Sequence, residues 1–73
     1  MNIPKMKPVI SSNIAAVGYD PESKSVFVQF LAGTVYVYKN VPKSEFDELL
    51  MASSLGSYLN KNFKGVYPYE LVD

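Results

Sequence analysis

A chain of 73 residues with no cysteine and no histidine lacks both of the staples that small folds most often use. Disulfides cannot form, and a zinc, haem or iron–sulfur site would be without its usual ligands, so no metal or cofactor is expected. A domain this short buries only about 60% of the surface that its unfolded chain exposes. Packing must therefore hold it together, extended by self-association where one core falls short. The side chains for packing are present: 48% of residues are hydrophobic and 14% aromatic, against 19% charged. Such a composition belongs to a globular chain and not to a disordered tail. The length admits one core, so the expected organisation is an extended leader over residues 1–8 and a single domain over 9–73.

Seven basic residues balance seven acidic ones, so no global positive field marks the chain as a strong non-specific nucleic-acid binder. No apolar stretch approaches the roughly 18 to 20 residues that cross a bilayer, and Met1 to Val9 carries no signal-peptide core. A cytoplasmic location without a membrane partner is the resulting expectation.

Met1 to Pro8 holds Pro4 and Pro8, which lack backbone donors, beside Lys5 and Lys7, and predicts little regular structure. Ile14 to Tyr19 is short and apolar and is followed by the turn chemistry of Asp20-Pro21-Glu22-Ser23-Lys24, which predicts a first strand. Ser25 to Leu31 and Thr34 to Val41 are rich in β-branched and aromatic residues on either side of Ala32-Gly33, and predict a hairpin. Loop length sets which side chains share a face, because a one-residue change flips the parity of pairing. A two-residue loop would place Val26, Val28 and Phe30 beside Val35, Val37 and Lys39. A three-residue loop, Leu31-Ala32-Gly33 with Gly33 left-handed, places them beside Tyr36 and Tyr38. The second keeps Lys39 off the core face and gives glycine the position that needs it.

Val41-Pro42-Lys43 ends the strand. Ser44 is placed to cap a helix from about Glu45, with Glu45, Asp47 and Glu48 near its positive end. Phe46, Leu49 and Leu50 give that helix one apolar stripe, and Leu55, Leu59 and Phe63 give a second helix another after Ser53-Ser54. Lys64-Gly65 supplies a basic last turn and a stop. The tail, Val66 to Asp73, reads as a short strand or an extended strap, with Pro68 arguing against a central strand. The expected fold is therefore α+β, a three-stranded antiparallel meander followed by two short helices packed on one face.

The series Ser11-Ser12-x-Ile14, Val17-Gly18-Tyr19-Asp20, Val26-x-Val28-x-Phe30, Gly33, Tyr36-x-Tyr38, Val41-Pro42 and Ser54-x-Gly56-x-Tyr58-x-Asn60 resembles the KTSC domain. That family takes its name from the carboxy-terminal domain of some lysyl-tRNA synthetases, and it also occurs as free-standing small proteins of bacteria and phages. The likeness runs from about Val9 to Tyr67. It implies no established activity and carries only a suggestion of RNA binding.

Catalysis finds few candidates. No histidine can act as a base, the carboxylates of the first helix are explained by the helix dipole, and Ser11-Ser12 suits a turn better than a nucleophile. Gly18, Gly33, Gly56 and Gly65 read as separate turn and cap glycines, with no phosphate-binding loop. The chain is thus expected to bind and not to catalyse, with no small-molecule substrate identified. Tyr36, Tyr38 and Tyr58 read as core, while Tyr36 and Tyr38 on an open face would instead stack on unpaired bases. Asn60, Lys61 and Lys64, with Lys39 and Lys43, form a candidate nucleic-acid surface. Phe27, Leu31, Val35 and Val37 lie on the other sheet face, too apolar to stay bare. A second copy or a protein partner is expected to cover that face, with the leader folding across it as the rival.

Overall fold

The computed structural model describes residues 3–72. Met1, Asn2 and Asp73, at the ends of the expected leader and tail, lie outside the described residues. The sheet has five antiparallel strands in sequence order, β1 (Lys7–Pro8), β2 (Ile14–Asp20), β3 (Ser25–Phe30), β4 (Val35–Tyr38) and β5 (Tyr69–Leu71). Helices α1 (Lys43–Met51) and α2 (Leu55–Asn62) fall between β4 and β5.

The hairpin register follows from its loop. Gly33 has φ +99°, the Phe30 amide donates to the Thr34 carbonyl at 2.8 Å and the Gly33 amide to the Phe30 carbonyl at 2.8 Å. Three residues therefore span the turn, and Val26 pairs with Tyr38 and Val28 with Tyr36, the register expected from glycine at the left-handed position. One further irregularity was not anticipated. The β2–β3 register shifts between Ile14 and Ala16, so both Ile14 and Val17 turn into the helix-side core.

The expectation of three strands is corrected to five. Both additional strands are edges formed by the chain's ends, and both are short and flanked or ended by proline, which a sheet tolerates only at its margin. Lys7 and Pro8 pair with Val17 and Ala16, so the leader is not without regular structure. The Lys39 amide reaches the Pro68 carbonyl at 2.8 Å, and β5 continues from there along β4.

The start of α1 is also corrected. The carbonyl of Pro42 accepts the amides of Glu45 at 3.0 Å and Phe46 at 3.4 Å, so the helix begins at Lys43. Pro42, extended at φ −68° and ψ 152°, is the cap residue without a side-chain bond. Ser44 lies inside the first turn, and of the three acidic residues only Glu45 is there. In α2 the cap is made by a side chain: Ser54 Oγ accepts the Ser57 amide at 3.3 Å. Gly65, at φ +79°, follows the helix as its stop.

Two clusters fill the two faces. On the helix side Val26, Val28, Val41, Leu49 and Phe63 are fully buried. Tyr19 stacks on Phe46 at 5.3 Å and donates its hydroxyl to the Val41 carbonyl at 2.8 Å, which ties α1 to the sheet. On the other side Phe27, Val35 and Val37 are buried, packed by Met6 and Val72. This is the face for which a second copy, a protein partner or the leader was the expected cover. The chain's own ends cover it, and Leu31, the fourth candidate, sits apart in the hairpin loop at 62% exposed. Gly18, in the middle of β2 and not at a turn, makes the covering geometrically possible. A Cβ there would lie 2.8 Å from Met6 Sδ and 3.0 Å from the Lys5 carbonyl oxygen.

Candidate functional site, an aromatic cleft between sheet and second helix

The parity fixed by Gly33 places Phe30, Tyr36 and Tyr38 on the face that α2 crosses, and β5 sets Tyr69 opposite Tyr38. The rings meet in edge-on and tilted pairs, Phe30 to Tyr36, Tyr36 to Tyr69 and Tyr38 to Tyr69, each with centroids 5.8 Å apart. Such geometry sets positive ring edges against negative ring faces. Tyr38 is buried, Tyr36 and Phe30 are half-buried, and Tyr69 is 55% exposed.

The facing wall is one row of α2. Gly56, Asn60 and Lys64 follow at four-residue spacing beside the buried Leu55, Leu59 and Phe63 row, as helical neighbours do. Gly56 allows the helix to approach the loop before β2, since a Cβ on it would lie 2.8 Å from Asn13 Oδ1. Between the walls is a cleft of about 320 Å³, with Asn13 also in its lining. That volume is at the lower end of the roughly 300 to 1000 Å³ typical of small-ligand pockets, enough for one planar ring and its substituents.

The five polar candidates are not one patch. Asn60 and Lys64 line the cleft. Lys61 lies around the helix in a shallow depression with Ser57 and Tyr58. Lys39 is paired with Glu70, and Lys43 with Asp47 at 2.7 Å, so both cations are already matched by carboxylates. Neither ion pair involves Lys64, which therefore gives the cleft its positive charge.

The tyrosines divide by role. Burial first, and then the neighbouring Tyr69 and Tyr36 hydroxyls, raise the Tyr38 phenol above its ordinary value of 10.0. It stays neutral as a cleft wall. Tyr58 points the other way, donating to Glu45 Oε1 at 2.7 Å and lying 3.2 Å from Glu48 Oε2. The hydrogen bond to Glu45, then desolvation and the bond to Glu48, push its phenol far above the ordinary range. Tyr58 is half-buried, its ring packed against the core beside Phe63 and its hydroxyl a strut between the helices. Tyr67 is raised by burial and by Glu45 on the same side.

Asn13, Gly56 and Tyr69 were not singled out as site residues by the sequence. For the first two a signal existed, the four-residue spacing Gly56-Asn60-Lys64 and the position of Asn13 next to Ser11-Ser12. Tyr69 reaches the cleft only through β5.

An antiparallel meander bearing two helices, with an aromatic cleft lined by one lysine, defines a small α+β domain. The KTSC domain model matches residues 10–67, and the chain belongs to that family. It is similar to a KTSC domain protein of Yersinia pestis solved by crystallography, with a TM-score of 0.88 and 30% identity over 94% of this chain and 97% of that one. It is 46% identical over 55 residues to a protein of Tsukamurella paurometabola, covering 75% of this chain and 82% of that protein. A lysine–tRNA ligase of Nostoc is 37% identical over 67 residues, 92% of this chain but 12% of the ligase. Among the described residues no helix is long and apolar enough to cross a membrane.

Proposed function

We propose that this domain is a non-catalytic module that binds single-stranded RNA by taking one unpaired base into the aromatic cleft. The observation that carries the reading is the cleft itself, where Phe30, Tyr36 and Tyr69 stand across from Asn60 and Lys64. Unpaired bases are held by stacking on aromatic side chains and by amide contacts, with a lysine on the adjoining phosphate. The likeness to a segment of a lysine–tRNA ligase, an enzyme that acts on an RNA, points to the same partner. Zero net charge fits a module that contributes modest affinity beside other binding surfaces.

Fluorescence anisotropy with a short labelled single-stranded RNA tests this. Removing a stacking ring by Tyr36→Ala is expected to weaken binding by roughly 5-fold to 100-fold. Lys64→Ala is expected to flatten the plot of log affinity against log salt by about one phosphate contact, while Lys39→Ala leaves the slope unchanged. Binding absent at low salt, or indifferent to Tyr36→Ala, refutes the reading.

A protein partner, in the manner of a phage or prophage regulator, is the second reading. It is favoured by edge strand β5, where Tyr69 and Leu71 are 55% and 62% exposed and one side of the strand is unpaired. Capture of a partner that survives nuclease treatment supports this reading over the first.

A further inference from the structure

We infer that the cleft selects a keto base, uracil or guanine, over an amino base, and that Asn13 is the residue that makes the selection. The inference rests on the RNA reading given above. It starts from the bonding of one serine. Ser11 Oγ accepts the amide of Asn13 at 3.4 Å and that of Ile14 at 3.3 Å, and lies 3.2 Å from Asn13 Oδ1. A hydroxyl that already accepts two N–H groups has a single proton to give, and it goes to the carboxamide oxygen. That bond sets which end of the Asn13 amide is oxygen and which is nitrogen. Oδ1 takes the Ser11 proton on one lone pair and lies against Gly56, where a Cβ would stand 2.8 Å away, so Nδ2, a donor only, is the freer end for a ligand.

The carboxamide is also confined. Asn13 is exposed as a residue, but its carboxamide lies against Gly56, where a Cβ would lie 2.8 Å from Oδ1 and 3.4 Å from Nδ2, so Ser11 on one side and the helix on the other limit its rotation. Asn60, the other amide of the cleft, is exposed on α2 and makes no side-chain hydrogen bond among the described residues. It can turn either end to a ligand and so discriminates nothing. Lys64 adds a second donor-only group. The polar groups whose sense is fixed are therefore donors.

Bases differ at this point. Uracil at position 4 and guanine at position 6 carry a carbonyl oxygen, where cytosine and adenine carry an amino group. A carbonyl completes a hydrogen bond to Asn13 Nδ2, whereas an amino group sets donor against donor and forfeits that bond.

Uridine and cytidine oligomers of equal length give the sharpest comparison, because they share ring size, sugar and phosphates and differ in this one pair of groups. The unaltered protein is expected to bind the uridine oligomer roughly tenfold more tightly at a fixed salt concentration. Asn13→Asp keeps the shape against Gly56 and still accepts from Ser11, but replaces the donor by an acceptor. Repulsion of phosphate lowers its affinity for both oligomers, and the uridine-to-cytidine ratio is expected to fall to one or below. Equal affinity of the unaltered protein for the two oligomers overturns the inference while leaving RNA binding standing. So does a uridine preference that survives Asn13→Asp unchanged. Failure to bind either oligomer instead overturns the RNA reading, and the selection with it.

Discussion

Adding one methyl group at Gly18 should lift the leader from the sheet. In an ordinary strand interior, glycine to alanine stabilises by roughly 0.5 to 1 kcal/mol, because glycine loses the most backbone freedom on folding. At Gly18 the new Cβ would stand 2.8 Å from Met6 Sδ, 3.0 Å from the Lys5 carbonyl oxygen and 3.3 Å from Pro4 Cγ. The methionine tip can move, but the backbone oxygen moves only with the leader. Overpacking of this kind costs about 1 to 3 kcal/mol, which exceeds the backbone gain. The middle of those ranges leaves a net loss of about 1 kcal/mol, or a melting temperature lower by roughly 4 to 8 °C for a domain of this size. The displaced leader also uncovers Phe27 and Val37, so the variant should associate at concentrations where the parent does not. Thermal unfolding by circular dichroism and sedimentation velocity read the two effects. Gly18→Ala that is more stable than the parent and no more associated refutes the claim that the leader lies on this glycine.

Two further outcomes follow from the same packing. Val37→Lys would separate copies if this face joined them, but Val37 is 1% exposed under the chain's own end. An unpaired charge there should instead cost about 3 kcal/mol or more and leave the domain largely unfolded by near-ultraviolet circular dichroism. Tyr58→Phe bears on alkaline stability. The Tyr58 phenol is raised when folded, chiefly by its bond to Glu45, so its contribution is fully present below the unfolded value of about 10 and is lost as pH rises through the higher folded value. Stability of the parent should therefore fall above about pH 10, and the fall should be shallower in Tyr58→Phe, as followed by denaturant midpoints at successive pH values.

How much of this was legible in the sequence depended on whether the controlling contact was local. Gly33 has no atom within 4 Å of the place a Cβ would take, so its requirement for positive φ is a property of the turn alone. From it the hairpin parity, and with it the tyrosine wall, could be derived. The Leu55, Leu59 and Phe63 row was equally readable, since helical spacing needs no partner to declare itself. Gly18 and Gly56 were not. Each is glycine because something distant in the chain approaches it, Met6 in one case and Asn13 in the other. The same distance hid β1 and left the tail open between the strand it forms in β5 and a strap; both edges are held by strands already formed. It also left the cover over Phe27 and Val37 undecided between a partner and the leader, since only the fold brings Met6 and Val72 there. Lys39 and Lys43 make the same point: Glu70 and Asp47 pair with them, and only the first of those pairings needed the fold to reveal it.

The most direct test of the cleft as the functional site is a residue-resolved NMR titration of the full chain with a short uridine oligomer. Amide and side-chain shifts should move at Asn13, Phe30, Tyr36, Asn60 and Lys64 and saturate together. Resonances of Phe27, Val37, Lys43 and Lys61 should stay in place. Saturable shifts centred on Lys61 or on the leader-covered face, or no shifts at millimolar RNA and low salt, would contradict the assignment of function to this cleft.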